Sequence, residues 1–280
     1  MTMAPLLTDR AALACHRGRA MAMQAPATFL HDFAIAEVQE RLETVNRSFT
    51  APAVVTGFPA LWQAALPRAR VVDDAEVLDL APGAHDLVVH ALALHWANDP
   101  VGQIVQCRRA LRPDGLFMAL LFGGRTLHEL RAALAEAEAE LTGGLSPRVL
   151  PMGDIRDLGA LLQRSGLALP VADSLARTVL YRDALHLMAD LRAMGETNAL
   201  AGRLRRPTRS AVLLRAGAIY AAAHADAEGR IPATFEIICL TGWAPHDSQQ
   251  KPLRPGSAQQ RLAEALNTAE RPLAKGAQDG

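Results

Sequence analysis

Lysine is almost missing from this 280-residue chain: Lys251 and Lys275 are the only two, and arginine carries nearly all the positive charge. Cysteine is scarce too. Cys15, Cys107 and Cys239 lie far apart and form no C-x-x-C pair, which excludes a disulfide framework and a zinc knuckle. Net charge is absent, with 29 basic and 29 acidic residues, so no global field argues for nucleic acid or an anionic membrane. Arginine runs such as Arg203-Leu204-Arg205-Arg206 are local and read as solvated faces. No apolar stretch approaches the ~20 residues that span a bilayer. The N-terminus sets Arg10, Arg17 and Arg19 against Asp9, faintly like an organellar presequence, but has no apolar core for secretion. We read it as part of the mature protein. The nine histidines are scattered, without H-E-x-x-H, so no metal site is expected. There is no G-x-S-x-G elbow and no Walker loop. Free thiols and an arginine- and alanine-rich composition lead to the expectation of a bacterial cytoplasmic protein.

What is present is enough apolar residue, 50% of the chain, to fill one large domain. Residues 29–46 space Phe33, Val38, Leu42 and Val45 as a helix would. "AVVTGFPALWQAAL", 53–66, reads as a short strand, a turn and a helix from Pro59, and "ARVVD", 69–73, as a second strand. "HDLVVHALAL", 85–94, is a strand buried on both faces. Asp99 reads as the N-cap of a helix over 100–111, and Pro113-Asp114-Gly115 as a turn into another buried strand that stops at Gly123-Gly124. This alternation implies a parallel sheet with crossover helices. Further on come a helix over 125–141, helices near 154–165 and 183–194 around a strand near 168–181, a helix over about 208–224, and a last strand at 233–243. A helix over 258–267 and a frayed polar end complete the reading. The division is an N-terminal helical segment 1–50, a domain over 51–268 with helical insertions at about 125–230, and a tail at 269–280.

Several segments together carry a resemblance. "DLVVHALALHWANDPVGQIVQCRRALRPDGLFMALLFGGRTLHELR" resembles the strand 4 to strand 5 region of class I S-adenosylmethionine methyltransferases. "SPRVLPMGDIRDLGALLQRSG", "LHLMADLRAMGETNAL", "RIPATFEIICLTGWAP" and "SQQKPLRPGS" resemble the proteobacterial and mitochondrial methyltransferase-like complex I assembly factors. The malonyl-acyl-carrier-protein methyltransferase of biotin synthesis is a more distant likeness. The resemblance runs from about Leu7 to Leu266. It implies an α/β, doubly wound, mostly parallel Rossmann-like sheet, S-adenosylmethionine as cofactor, and a protein or acyl-carrier acceptor, with a complex I subunit among the partners.

The chain departs from the family at the end of its first strand. An acidic residue and a glycine-rich turn are replaced by Val55-Thr56-Gly57-Phe58-Pro59, although such turns use glycines for close ligand approach. A crossover takes at least ~10–12 residues, so the interval from Asp74 to His85 leaves one strand–helix unit missing. The strand at 69–72 then stands for strand 2, with Asp73 near the ribose, or for strand 3, with Asp74 and Glu76 on the adenine side. We favour strand 3.

On that resemblance Thr56, Gly57, Asp74, Glu76 and Trp96 are the cofactor-binding candidates, and His95 is the candidate general base. Each has a plainer reading: a turn glycine, a solvated loop carboxylate, a packed tryptophan, a histidine bonded to a loop carbonyl. Trp243, His246, Gln249, Gln250, Lys251 and Arg254 form a polar, proline-rich segment suited to a substrate or partner surface. Two functions follow: a SAM-dependent methyltransferase, or a non-catalytic assembly factor that keeps the fold without the cofactor.

Overall fold

The computed structural model describes residues 6–249. Met1–His246 form one compact unit, and Asp247–Gly280 separate as a second. Gln250, Lys251, Arg254 and the helix expected over 258–267 lie outside the described residues.

One six-stranded sheet organises the first unit. β1 (Pro52–Thr56) pairs in parallel with β2 (Arg70–Val72) on one side and β3 (His85–Ala91) on the other. β4 (Leu111–Phe122) continues the parallel half beside β3. Beyond it β6 (Ile231–Trp243) runs antiparallel to β4, and β5 (Ala168–Tyr181) closes the edge against β6. The order is β2-β1-β3-β4-β6-β5. β2 is the only strand between β1 and β3 in the chain, so the missing strand–helix unit is real. It sits directly beside β1, the place of strand 2 and equally of a strand 3 from which strand 2 has been deleted.

Side chains alternate across the sheet because successive Cβ atoms point to opposite faces. Val54, Val89 and Met118 face one core, and Val55, Val88 and Phe117 face the other. The first core is covered by α2 (Phe29–Thr44), α3 (Pro59–Ala65), α5 (His128–Thr142), α7 (Ala184–Ala193) and α8 (Ser210–His224). The second is covered by α4 (Pro100–Ala110) and α6 (Ile155–Arg164). Each fully buried Val, Leu or Phe contributes roughly 1.5–3 kcal/mol, and both faces of β3 and β4 are lined with them. Asp99 caps α4 as expected, accepting from Gly102 N at 2.8 Å.

The end of β3 differs from the sequence reading. β3 stops at Ala91 and not at 94, because Leu92 adopts a positive φ of 46° that no strand continues through. Leu94–Trp96 then form a 3₁₀ turn. Within the N-terminal segment read as helical, the arginine-rich stretch forms a helix of its own. Arg10–Met21 form α1, with Asp9 as N-cap accepting from Ala12 N at 3.0 Å.

Candidate functional site

Parallel strands present ligands at their carboxyl ends, and here β1, β3 and β4 bring Thr56, His95 and Phe122 to one edge of the sheet. α1 crosses this edge. Thr8 N donates to Asn98 Oδ1 at 2.8 Å, Asp9 N donates to Ala199 O at 2.8 Å, and Arg203 Nη1 donates to Asp9 Oδ2 at 2.9 Å. Leu13 packs with Trp96, Leu150 and Leu200. The helix is therefore strapped between the loop after β3 and the loop after α7.

Asp74 is the centre of the polar cluster beneath α1. It is buried, and Arg17 Nη1 donates to both its oxygens, at 2.8 and 2.9 Å. Arg10 Nη1 adds a third bond at 3.1 Å, and Arg10 Nη2 reaches the Asp74 carbonyl. Burial pushes the carboxyl up, but Arg17 and Arg10 outweigh it and carry it from its ordinary 3.8 to about 2. Asp74 is thus neither an open adenine contact nor a solvated loop carboxylate; it is one partner of a buried ion pair.

The other cofactor candidates fall into place around it. Thr56 is buried, and its Oγ1 accepts from Phe58 N at 3.1 Å, closing the turn. Gly57 gives the close approach expected of it, but the group that approaches is the Arg17 guanidinium, which a Cβ there would strike. Glu76 is exposed and accepts from Asn98 Nδ2 at 2.9 Å.

His95 and Trp96 meet a residue the sequence reading passed over, Glu196 in the "MGETN" stretch after α7. The Trp96 indole donates to Glu196 Oε2 at 2.7 Å, and His95 Nε2 stands 3.5 Å from the same oxygen. Burial alone would raise the Glu196 carboxyl, but His95, Arg17 and Trp96 hold it below the usual range. Neither ring nitrogen of His95 has a formed hydrogen bond, and the ring lies against Phe122. His90, read as structural, is so: its Nε2 meets Gln103 Oε1 at 2.7 Å deep in the sheet.

Trp96 and Glu196 also line a cavity of about 360 Å³. Its walls are mostly apolar, from Leu130 on α5, Met152, Met188 on α7 and Leu213 on α8. Arg148 reaches it as well, but its charge is matched by Glu138, with Nη2 to Oε1 at 2.6 Å, and it also donates to Thr208. That pairing, chiefly, holds the Glu138 carboxyl down at about 2. The site is therefore a mostly apolar slot with one ionised carboxylate, Glu196, and two arginines, Arg148 and Arg192, in its lining, a form typical of small-ligand pockets.

Trp243 is not brought to it. At the far end of β6 it pairs with Leu116, the opposite end of the sheet, and Arg47 lies over its ring at 5.7 Å. His246 follows in the same loop, and Gln249 belongs to the second unit. Among the described residues no group of three His, Cys, Asp or Glu side chains is placed to hold a metal ion.

Residues 37–119 match the methyltransferase-domain family. The chain is similar to that family over this stretch. Among its relatives, the protein named arginine-hydroxylase NDUFAF5, mitochondrial, of Dictyostelium discoideum is 44% identical over 66% of this chain and 42% of its own. The malonyl-[acyl-carrier protein] O-methyltransferase of Laribacter hongkongensis is 36% identical over 67% of this chain and 61% of its own. The solved YcgJ protein of a Bacillus overlays with a TM-score of 0.49 at 11% identity, covering 77% of this chain and all of that one. The chain spans 42% to 63% of the length of the first curated relatives it matches. These findings uphold the family resemblance. They overturn the expectation of a bacterial cytoplasmic location, since the arginine-hydroxylase relatives are named as mitochondrial proteins of eukaryotes.

S-adenosylmethionine, the cofactor the family implies, does not fit this methyltransferase-like protein as it stands. The space beside Gly57 is taken by a guanidinium, and both Asp74 oxygens are already bonded.

Proposed function

We propose that this methyltransferase-like protein works by receiving one side chain of a partner protein in the 360 Å³ cavity, and that the side chain is cationic with an apolar stem. The observation that carries this is Glu196. A carboxylate held ionised in an otherwise mostly apolar lining favours a guanidinium or ammonium group and disfavours a neutral one, because a charge in low dielectric needs a partner. Of the two arginines that also line the cavity, Arg148 has its charge matched by Glu138 and Arg192 is exposed to solvent, so neither competes with Glu196 on equal terms. Relatives named as arginine-hydroxylases make an arginyl side chain the natural occupant. The partner we infer is a subunit of respiratory complex I, with this protein as an assembly factor.

A second reading has its own support. The family match over 37–119 spans Gly57, Asp74, His95 and Trp96, as expected of SAM-dependent methyl transfer to a protein or acyl-carrier acceptor. His95 does not line the cavity; it stands behind Glu196, so its part on either reading is to position that carboxylate. Glu196→Gln tests the first reading in a strain that lacks the native chain. The variant should fold normally yet fail to restore complex I. Full restoration by Glu196→Gln would overturn the proposal.

A further inference from the structure

Gly57 and Gly195 come from distant parts of the chain, yet both face the same side chain. A Cβ on Gly57 would strike the Arg17 guanidinium; one on Gly195 would lie 3.1 Å from Arg17 Cα and 3.2 Å from Phe58 Cζ. Together the two glycines open a slot at the carboxyl end of β1, and Arg17 fills it. Its guanidinium lies 5.9 Å from the Phe58 ring centroid. Among the described residues only Nη1 is bonded, to Asp74, and Nε and Nη2 are buried without a partner. Unmet buried donors are costly, so the slot is not shaped for a guanidinium alone. Meanwhile α1 is fixed from outside by Asp9, Thr8 and Leu13.

We propose that α1 is a built-in plug: Arg17 occupies, in this chain itself, the cleft in which the family's fold would seat a nucleoside cofactor. The slot that glycine opens for a ligand's close approach is used by the protein's own guanidinium, and the carboxylate beside it, Asp74, is neutralised by α1. The closed cleft keeps the edge of the sheet rigid beside Trp96 and Glu196. This inference does not depend on what the neighbouring cavity binds.

Calorimetric titration with S-adenosylhomocysteine tests it on the full chain. The native protein should show no saturable binding at millimolar ligand, and Arg17→Ala should gain binding, tighter by at least about tenfold. Arg17→Ala that binds no better than the native protein would overturn the proposal. So would native binding that Arg17→Ala weakens, because Arg17 would then be a ligand contact rather than a plug. Should Arg17→Ala fold poorly, a mutant cycle on melting temperature decides instead. Gly57→Ala should cost several degrees in the native background and almost nothing beside Arg17→Gln. Equal losses in both backgrounds would show that Arg17 does not fill the slot.

Discussion

Asp74→Ala removes the one carboxylate that holds Arg17, and its cost can be bounded from two directions. The fall of the Asp74 carboxyl from 3.8 to about 2 corresponds to about 2 kcal/mol of stabilisation through protonation linkage. Deleting the side chain costs more, because Arg17 then remains buried with all its donors unmet and no carboxylate in direct contact. Breaking a buried pair in this way costs about 3–5 kcal/mol, and this larger effect governs the variant. At about 2–4 °C per kcal/mol, the melting temperature should drop by roughly 6–20 °C, read by calorimetry or fluorescence. The pH dependence has a definite sign. Since the folded carboxyl is depressed, its contribution is fully present above the unfolded value near 3.8 and is lost as pH falls from about 4 toward 2. Asp74→Asn should flatten that part of the stability profile. A change below ~0.5 kcal/mol, ordinary for an exposed position, would refute the buried pair and return Asp74 to a solvated loop.

Two smaller perturbations probe the surroundings. Asp9→Ala removes the α1 cap and the bond from Arg203; it should cost about 1 kcal/mol in denaturant unfolding, and no measurable loss would mean that neither the cap nor this bond holds α1. Trp62→Phe takes the indole from His31 Nδ1, a 3.1 Å bond in the core, and should cost about 1–3 kcal/mol; because burial keeps His31 down at about 4, the loss should be the same from pH 6 to pH 8.

The strands of this fold were legible because burial on both faces leaves continuous apolar runs, as in β3 and β4, and because Asp99 announces its helix by local chemistry. The missing unit was legible by counting alone. Which family strand β2 stands for was not, since strand 2, and strand 3 with strand 2 deleted, take the same place beside β1. The role of α1 was hidden for another reason. Arg17 looks like a surface arginine until Asp74, 57 positions away, is known to meet it. Glu196 was likewise quoted only within a family segment, and its chemistry arises from Trp96, 100 positions earlier. Local pattern carries helices and strands; buried charge pairs are made by the fold. Trp243 stands apart from the cavity because the antiparallel course of β6 carries it to the other end of the sheet.

The central claim is that Glu196 makes the cavity selective for a cationic side chain. Calorimetric titration with Nα-acetyl-arginine N-methylamide and its citrulline counterpart tests it most directly, since the two differ by little but charge. Saturable binding of the arginine probe alone is expected, abolished in Glu196→Gln. Equal binding of both probes, no binding of either, or undiminished binding of the arginine probe by Glu196→Gln would contradict it.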